Sequence, residues 1–173
     1  APNDPSMRAN YASSLRYARR WDEGEAEAKR ALALSNSDVT VLIPVNNVFN
    51  AIGQFAEAEE LARRARGLDP SNSAAFNNLA RSLLLQRKYA EAAAEARRGL
   101  ALARTSLGLQ VTLVAALGHT GPKAEAQVEA EKLQGLSPGF TIAEFLRGFL
   151  PLFRDPAYAN PWIEGLRKVG VPE

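Results

Sequence analysis

The sequence lacks several residue types on which common site chemistries depend. It contains no cysteine, so disulfides and thiolate metal sites are excluded. Its one histidine is His119, and the neighbouring residues Leu117, Gly118 and Thr120 supply no second metal ligand. No glycine-rich phosphate loop is present, and no apolar run is long enough to span a membrane. We therefore expect no metal, no cofactor and no membrane span. The absence of cysteine is compatible with a cytoplasmic location, which we expect.

Strong charge of one sign is also missing. The chain has 21 Lys and Arg against 19 Asp and Glu, which gives a net charge of +2 although the pI is about 9.1. A nucleic-acid interface would need basic residues clustered on one face with aromatic residues among them. We therefore do not expect a nucleic-acid partner. With 173 residues, of which 46% are hydrophobic, the chain can form one domain with a substantial core.

A repeat of 34 residues organises most of the chain. Residues 55–70 read FAEAEELARRARGLDP, and similar amphipathic helices precede and follow them by 34 residues, as WDEGEAEAKRALALSN and YAEAAAEARRGLALAR. Four units without insertion or deletion result, at 5–38, 39–72, 73–106 and 107–140. The columns that agree best are Leu15, Phe49, Leu83, Leu117; Trp21, Phe55, Tyr89, Lys123; Glu23, Glu57, Glu91, Glu125; Gly24, Ala58, Ala92, Ala126; and Ala28, Ala62, Ala96, Ala130.

These columns resemble the tetratricopeptide repeat (TPR). The resemblance covers about four-fifths of the chain and implies an all-α fold, in which antiparallel helix pairs stack into a right-handed α-solenoid with a concave groove. The physical argument agrees, because one helix hairpin cannot bury its apolar stripe without neighbours. The chain departs from the pattern at Lys123, which replaces an aromatic residue, and at Asn46, which replaces a small one. Pro44 either kinks the first helix of the second unit or marks a late start of that helix.

Both ends of the chain depart from the repeat. Residues 1–4 occupy the same columns as residues 69–72, so we interpret them as the tail of a missing unit and the chain as a C-terminal fragment. Residues 141–173 are predicted to form capping helices that close the open end of the solenoid. The first is indicated by apolar residues from Ile142 to Phe149, and the last by a capping Asn160 with Pro161 at its first position.

The ending LFRDPAYANPWIEGLRKVGVPE supports a second resemblance. It is similar to the C-terminus of bacterial proteins that join a class III adenylate or guanylate cyclase domain, or a winged-helix DNA-binding domain, to a TPR array. The matching residues are Phe153, Arg154-Asp155-Pro156 and 164–173, while Pro161 departs from the pattern. This resemblance implies a regulatory or oligomerisation module whose effector domain lies N-terminal to residue 1, and it implies no catalytic residue in this chain.

Two further patterns are interpreted as structural. Residues 135–139 have the form G-x-S-x-G, but they occupy the columns of Leu68-Asp69-Pro70 at a helix end, where we predict a turn that joins repeats rather than a nucleophile. Basic pairs recur at residues 29–30, 63–64 and 97–98 and would form a ridge on the outer surface. An acidic partner or nucleic acid could bind there, but compensation of the helix dipoles explains the ridge better.

The concave groove is the candidate binding site. First-helix positions outside the packing columns should line it, and they are polar, nearly uncharged and rich in asparagine. They are Asn10, Ser13, Arg16, Tyr17, Asn47, Asn50, Asn77, Asn78, Arg81, Thr112 and His119. Asparagine can both donate to and accept from a peptide backbone, and some members of the resembled family bind extended segments in this way. The groove of that family that clamps a C-terminal carboxylate with lysines is not matched, although Arg16 and Arg81 could partly substitute.

The sequence thus predicts a non-catalytic interaction scaffold that binds a peptide or protein segment in the groove. The alternative is the regulatory module described above, which would act by self-association or by masking its effector domain. An enzyme is not expected, because no constellation of residues fits a catalytic site.

Overall fold

The computed structural model describes residues 4–173, and within that range it contains ten α-helices and no strand. The helices are α1 (Pro5–Tyr17), α2 (Trp21–Leu34), α3 (Val39–Ile52), α4 (Phe55–Leu68), α5 (Ser73–Leu85), α6 (Tyr89–Leu102), α7 (Leu107–Thr120), α8 (Lys123–Leu136), α9 (Ile142–Phe149) and α10 (Asn160–Val169). Short 3₁₀ turns at Leu150–Leu152 and Pro156–Ala159 connect α9 to α10. The expected tail of a preceding unit falls on residues 1–3, outside the described range, and on Asp4.

The caps of the helices follow from local sequence. Asp4, Asp38 and Asn72 precede α1, α3 and α5, and each side chain accepts a hydrogen bond from a backbone N–H of the first helical turn. The turn between the helices of a pair contains a left-handed residue in three places. Gly53 has φ 90°, whereas Arg19 and Arg87 adopt φ 57° and 61° at the equivalent positions.

Small residues let the two helices of a pair approach closely. The column that begins with Gly24 is buried in α2, α4, α6 and α8. A Cβ atom on Gly24 would lie 3.2 Å from the carbonyl oxygen of Ala12, so little space is left at this contact. The column that begins with Ala28 is enclosed in the first three units, where Ala62 and Ala96 expose 1% and 0% of their surface, whereas Ala130 is half-buried.

Two local expectations need correction. Pro44 lies inside α3, which begins at Val39 after the cap of Asp38, so the late start is wrong. Asn160 does not cap α10; the helix continues directly from the preceding 3₁₀ turn, with Ala159 at the cap position and Pro161 in the first turn. The predicted helix at residues 142–149 is confirmed.

The C-terminal segment, residues 142–173, does not simply extend the stack. α10 packs chiefly along α7, and its contact with α8 is slight. The chain between α9 and α10 runs back towards the beginning of the array, where the first 3₁₀ turn contacts α1. The backbone N–H of Arg154 donates to the carbonyl oxygen of Ala51 at 2.8 Å, and its guanidinium pairs with Asp22 at 2.9 Å.

The fold class predicted from the sequence is confirmed: antiparallel helix pairs form a right-handed α-solenoid with additional helices at the C-terminal end. Two apolar clusters make up the core. One joins the first two pairs and reaches Ala75 of α5, and the other joins the later pairs to the C-terminal segment through Phe153, Trp162 and Leu166. In residues 4–173 no helix is both long enough and apolar enough to cross a membrane.

Candidate functional site: the inner groove

The inner groove is lined by one face of each of the helices α1, α3, α5 and α7. The contacts of the C-terminal segment identify this face, because they fall on Thr112, Ala115 and His119 of α7, on Arg81 of α5 and on Ala51 of α3. These positions repeat with the 34-residue period. The corresponding face of α1 carries Asn10, Ser13 and Tyr17, so three of the predicted columns share this face, whereas the columns of Arg16 with Asn50 and of Asn77 are not among these positions.

At the end of α7 the groove is filled by α10. The indole N–H of Trp162 donates to the hydroxyl of Thr112 at 3.4 Å, and both side chains are buried. The two helix backbones approach so closely at Gly118 and Gly165 that a Cβ atom on Gly118 would lie 2.1 Å from the carbonyl oxygen of Gly165. Thr112, expected to be accessible to a ligand, is therefore covered by the chain itself.

His119 also binds the C-terminal segment. Its Nε2 lies 2.8 Å from the carbonyl oxygen of Pro161, its Nδ1 lies 3.3 Å from Nζ of Lys168, and its ring stacks on Tyr89 with a centroid separation of 3.8 Å. These contacts fit a neutral ring that donates from Nε2. Burial lowers the pKa of His119; the bond to Pro161 opposes the shift, the charges of Lys168 and Arg87 add to it, and that of Glu164 opposes it.

Towards the beginning of the array the segment crosses the middle of the groove. The guanidinium of Arg81 lies 5.6 Å from the centroid of the Phe149 ring, on which it stacks. Tyr158 packs edge-on against Phe55 at 5.1 Å and lies directly over Gly53. The middle part of the groove is therefore partly covered, and polar atoms at its centre have partners within the chain.

Two of the predicted groove asparagines are structural. Asn50 is 1% exposed and donates from Nδ2 to Oδ1 of Asn46 at 3.0 Å and to the hydroxyl of Ser82 at 3.0 Å. Asn78 is 3% exposed and donates to the carbonyl oxygen of Ile43 at 3.1 Å. Both were expected to be accessible. They lie inside because the close packing of α3 on α5 leaves neither side chain a path to solvent.

Sequence reasoning missed the centre of this network, Asn46. Its Nδ2 donates to the carbonyl oxygen of Ala58 at 2.6 Å and to Ser82 at 3.1 Å, so one side chain joins α3, α4 and α5. The available signal was an amide in a column that holds small or apolar residues elsewhere. A polar residue in such a column indicates a buried partner, because an unpaired buried amide is costly.

The part of the groove nearest to α1 is open. Asn10 is exposed, Tyr17 exposes 67% of its surface, and Ser13 is half-buried. Asn47 and Asn77, on α3 and α5, are also half-buried. Of the predicted site residues, the structure thus leaves accessible those on the inner face of α1, together with their half-buried neighbours on α3 and α5.

Two arginines lie where the open and covered parts meet. Arg16 is 7% exposed, and its guanidinium lies 4.9 Å from the centroid of the Tyr17 ring. Arg81 donates from Nη1 to Oδ1 of Asn47 at 3.0 Å. Burial lowers the pKa of Arg81 to about 10, and the nearby charge of Arg16 contributes to that shift while Tyr17 opposes it. Burial likewise lowers the pKa of Arg16.

The other candidate patterns have structural roles. Gly135 and Leu136 end α8, Ser137 follows it and Gly139 has φ 78°, so residues 135–139 span a helix end and the turn after it, as predicted. Residues 4–173 contain no cluster of histidine and carboxylate side chains that could hold a metal ion.

The basic ridge on the outer surface is largely neutralised by ion pairs. Five of its six members bind glutamates of the same helix or of the next repeat, and the sixth, Arg64, donates to the carbonyl oxygen of Asn36. The pairs are Lys29 with Glu25, Arg30 with Glu27, Arg63 with Glu59 and Glu91, Arg97 with Glu125, and Arg98 with Glu95. This pairing favours the interpretation in which the ridge serves the helices themselves rather than an acidic partner.

No protein-family model and no curated protein matches this chain. Solved structures do. YrrB, a TPR protein with an unusual peptide-binding site, superposes with a TM-score of 0.65 and 19% identity over 98% of this chain and 86% of YrrB. MamA gives a TM-score of 0.69 with 18% identity over 97% of this chain and 93% of MamA. TTC0263, a TPR protein of Thermus thermophilus, gives 0.68 with 14% identity over 95% of this chain and 89% of its own. At these identities the similarity is one of fold: the chain has the fold of tetratricopeptide repeat proteins.

Proposed function

We propose that this chain is a non-catalytic protein-binding scaffold that holds an extended peptide or protein segment in the open part of its inner groove, on the faces of α1, α3 and α5. The observation that carries the proposal is the contrast between the two ends of the groove. The end at α7 is filled by α10, whereas at the end at α1 Asn10 and Tyr17 are exposed and Ser13 is half-buried.

The exposed groove residues suit recognition of a peptide backbone. Asn10, Asn47 and Asn77 can donate and accept at the same time, and the exposed ring of Tyr17 offers apolar area with a polar end. The fold supports the proposal, since concave surfaces of helical solenoids are common binding surfaces and one structure with this fold, YrrB, has a peptide-binding site.

The test is a selection of random dodecapeptides against the purified chain, followed by affinity measurement by fluorescence anisotropy. Tyr17→Ala should weaken the selected peptides at least tenfold. Tyr11→Ala is the matched control, because Tyr11 lies on the same helix and is 50% exposed, but in the column that packs between repeats elsewhere. Selected peptides that bind Tyr17→Ala as tightly as the unchanged chain would refute the proposed site.

The alternative function, a regulatory or oligomerisation module, rests only on the resemblance of the C-terminal residues. The residues that resemble the C-terminus of cyclase-linked and winged-helix proteins include Phe153, which is buried, and Arg154, which binds Ala51 and Asp22. In this fold those residues anchor the C-terminal segment across the groove. An effector domain N-terminal to residue 1 stays a prediction, and the sequence of the gene upstream of that residue tests it directly.

A further inference from the structure

The end of the array at α8 differs from the boundaries between its units. The second helices α2, α4 and α6 each pack against the first helix of the following unit, whereas the contacts of α8 with α9 and α10 are slight at most. Ala62 of α4 belongs to the apolar cluster of the later units, so its column faces the following unit. The first three members of this column, which end with Ala96, are buried. Ala130 on α8 is only half-buried, so residues 4–173 leave the downstream face of this helix incompletely covered.

A mostly apolar pocket of about 690 Å³ lies on this face. Its α8 side consists of Gln127, Ala130, Glu131 and Gln134, and its other side consists of Gly139, Phe140, Thr141 and residues 169–172. The backbone N–H of Ile142 donates to the carbonyl oxygen of Pro172 at 2.8 Å, which joins the two parts of that other side. Gln134 donates from Nε2 to the carbonyl oxygen of Phe140 at 2.8 Å. The pocket is therefore formed before a ligand arrives, and its volume lies in the range of roughly 300–1,000 Å³ that is common for binding sites.

The charge beside the pocket is opposite to the charge at the internal boundaries. The column of Glu131 holds a cation in each earlier unit, namely Lys29, Arg63 and Arg97. Arg97 forms an ion pair with Glu125 of the following unit, across the boundary. Arg63 pairs in the same way with Glu91 at 3.5 Å. Glu131 itself is exposed, has no ion-pair partner among residues 4–173, and is the only charged residue that lines the pocket there.

The reversed charge disfavours a further unit of the same kind in this position. If a second copy of the chain docked its first unit on α8, the residue in the column of Glu125 would be Glu23. Glu23 would then lie near Glu131, and two carboxylates placed opposite each other repel. A lysine or arginine in that place would instead make with Glu131 the charge-assisted bond that Arg97 makes with Glu125.

We infer that the downstream face of α8, together with residues 139–141 and 169–172, binds a helical segment of another protein. The segment carries a large apolar side chain, which fills the pocket, and a lysine or arginine one turn away, which pairs with Glu131. This is the arrangement of the preceding boundary with its charges exchanged, because there Leu109 of α7 packs directly against Gly99 of α6. The site shares no residue with the inner groove, so it does not rest on the proposed function.

The probe is an alanine-based peptide as long as α7, with blocked termini and an uncharged fluorophore, in which leucines and lysines one turn apart form a stripe along the helix. Comparison peptides carry glutamate in place of every lysine or alanine in place of every leucine. Fluorescence anisotropy should show that the leucine–lysine peptide binds at least fivefold more tightly than either, with an affinity that falls as salt is raised. Glu131→Lys should reverse the preference between the lysine and glutamate peptides. The control, Glu60→Lys, makes the same change of charge at an exposed position on α4 and should leave the preference unchanged.

Two measurements locate the bound peptide. The amide resonances of Gly139 and Gly170, which line the pocket, should shift as the peptide is added, whereas that of Gly67 on α4 should not. Ala130→Leu fills part of the pocket from a half-buried position and should weaken binding at least fivefold, with the circular dichroism spectrum unchanged. Tyr17→Ala, which tests the inner groove, should leave this affinity unchanged.

Three results would overturn the inference. The first is equal affinity for the lysine and glutamate peptides, and the second is a preference that Glu131→Lys does not alter. The third is a peptide that shifts only glycine resonances outside the pocket or that Tyr17→Ala releases. Sedimentation measurements test the remaining occupant: a dimer of the unchanged chain that Ala130→Leu dissociates would assign this face to a second copy and also refute the inference.

Discussion

Gly165 is the point at which α10 comes nearest to α7, and replacing it with alanine tests whether the C-terminal segment is an integral part of the groove. The added Cβ atom would lie 2.1 Å from the carbonyl oxygen of Ala115 and 2.7 Å from its carbonyl carbon. Van der Waals contact between such atoms requires about 3.2 Å, and overpacking of a buried contact costs about 1–3 kcal/mol. Both partners are backbone, which cannot rotate away, so we expect the upper end of that range.

The expected loss for Gly165→Ala is therefore about 3 kcal/mol of the free energy of unfolding, which corresponds to a decrease of about 6–12 °C in melting temperature for a chain of this size. Complete release of α10 sets an upper limit. It would expose Trp162, Leu166 and Val169, whose burial contributes about 1.5–3 kcal/mol each.

Urea denaturation measures the change, and the emission of Trp162 reports where it occurs. The only other tryptophan is Trp21, so a Trp21→Phe background makes the signal specific. Gly148→Ala is the matched control. Gly148 lies in α9 with no atom within 4 Å of its Cβ position, so alanine there should stabilise the helix by about 0.5–1 kcal/mol. If Gly165→Ala unfolds like the unchanged chain and leaves the Trp162 emission unshifted, the tight crossing of α7 and α10 is refuted.

Two further predictions concern buried polar groups. Asn46→Ala should lower the free energy of unfolding by about 1–3 kcal/mol, because it deprives Asn50 and the carbonyl of Ala58 of a buried partner; Asn10→Ala, at an exposed site, should cost less than about 0.5 kcal/mol in the same urea titration. Acidification should loosen α10. The pKa of His119 is lower in the folded chain than its unfolded value of about 6.5, so the unfolded state binds the proton first and stability is lost as the pH falls below that value. Melting curves between pH 7.5 and pH 5 should show this loss, and it should be smaller in His119→Gln; an identical pH profile for the two would contradict the assignment of a neutral ring.

The repeat could be predicted because its signal is local and recurs. Hydrophobic spacing, small-residue columns and turn residues specify each helix pair within 34 residues, and the fold class followed from their agreement. The late start of α3 that Pro44 suggested is wrong. The helix is capped by Asp38 and most of its residues are buried, so it tolerates the hydrogen bond that Pro44 removes.

The sequence indicated the helix faces on which the candidate site was expected, but not which of its residues are covered by other parts of the chain. Column positions placed Asn50 and Thr112 on the groove side, yet nothing local to them shows that Ser82 or Trp162 would cover them. Such contacts join residues far apart in the sequence. The 34-residue pattern contains no information about where residues 142–173, which do not follow it, will pack. The apolar residues of 142–173 predicted helices with a buried face. They did not indicate that this face packs in the groove, because the groove is formed by the whole array.

The contact of Arg154 with Asp22 and Ala51 joins the last part of the chain to its first two repeats. In an ordinary repeat protein each unit interacts only with its neighbours, so terminal units can fray while the middle stays folded. Here the path of the backbone closes a loop of more than a hundred residues, which ties the order of the first helices to that of the last. The array should consequently gain cooperativity between distant units and lose folding speed, since the closing contacts can form only after the intervening chain has been arranged.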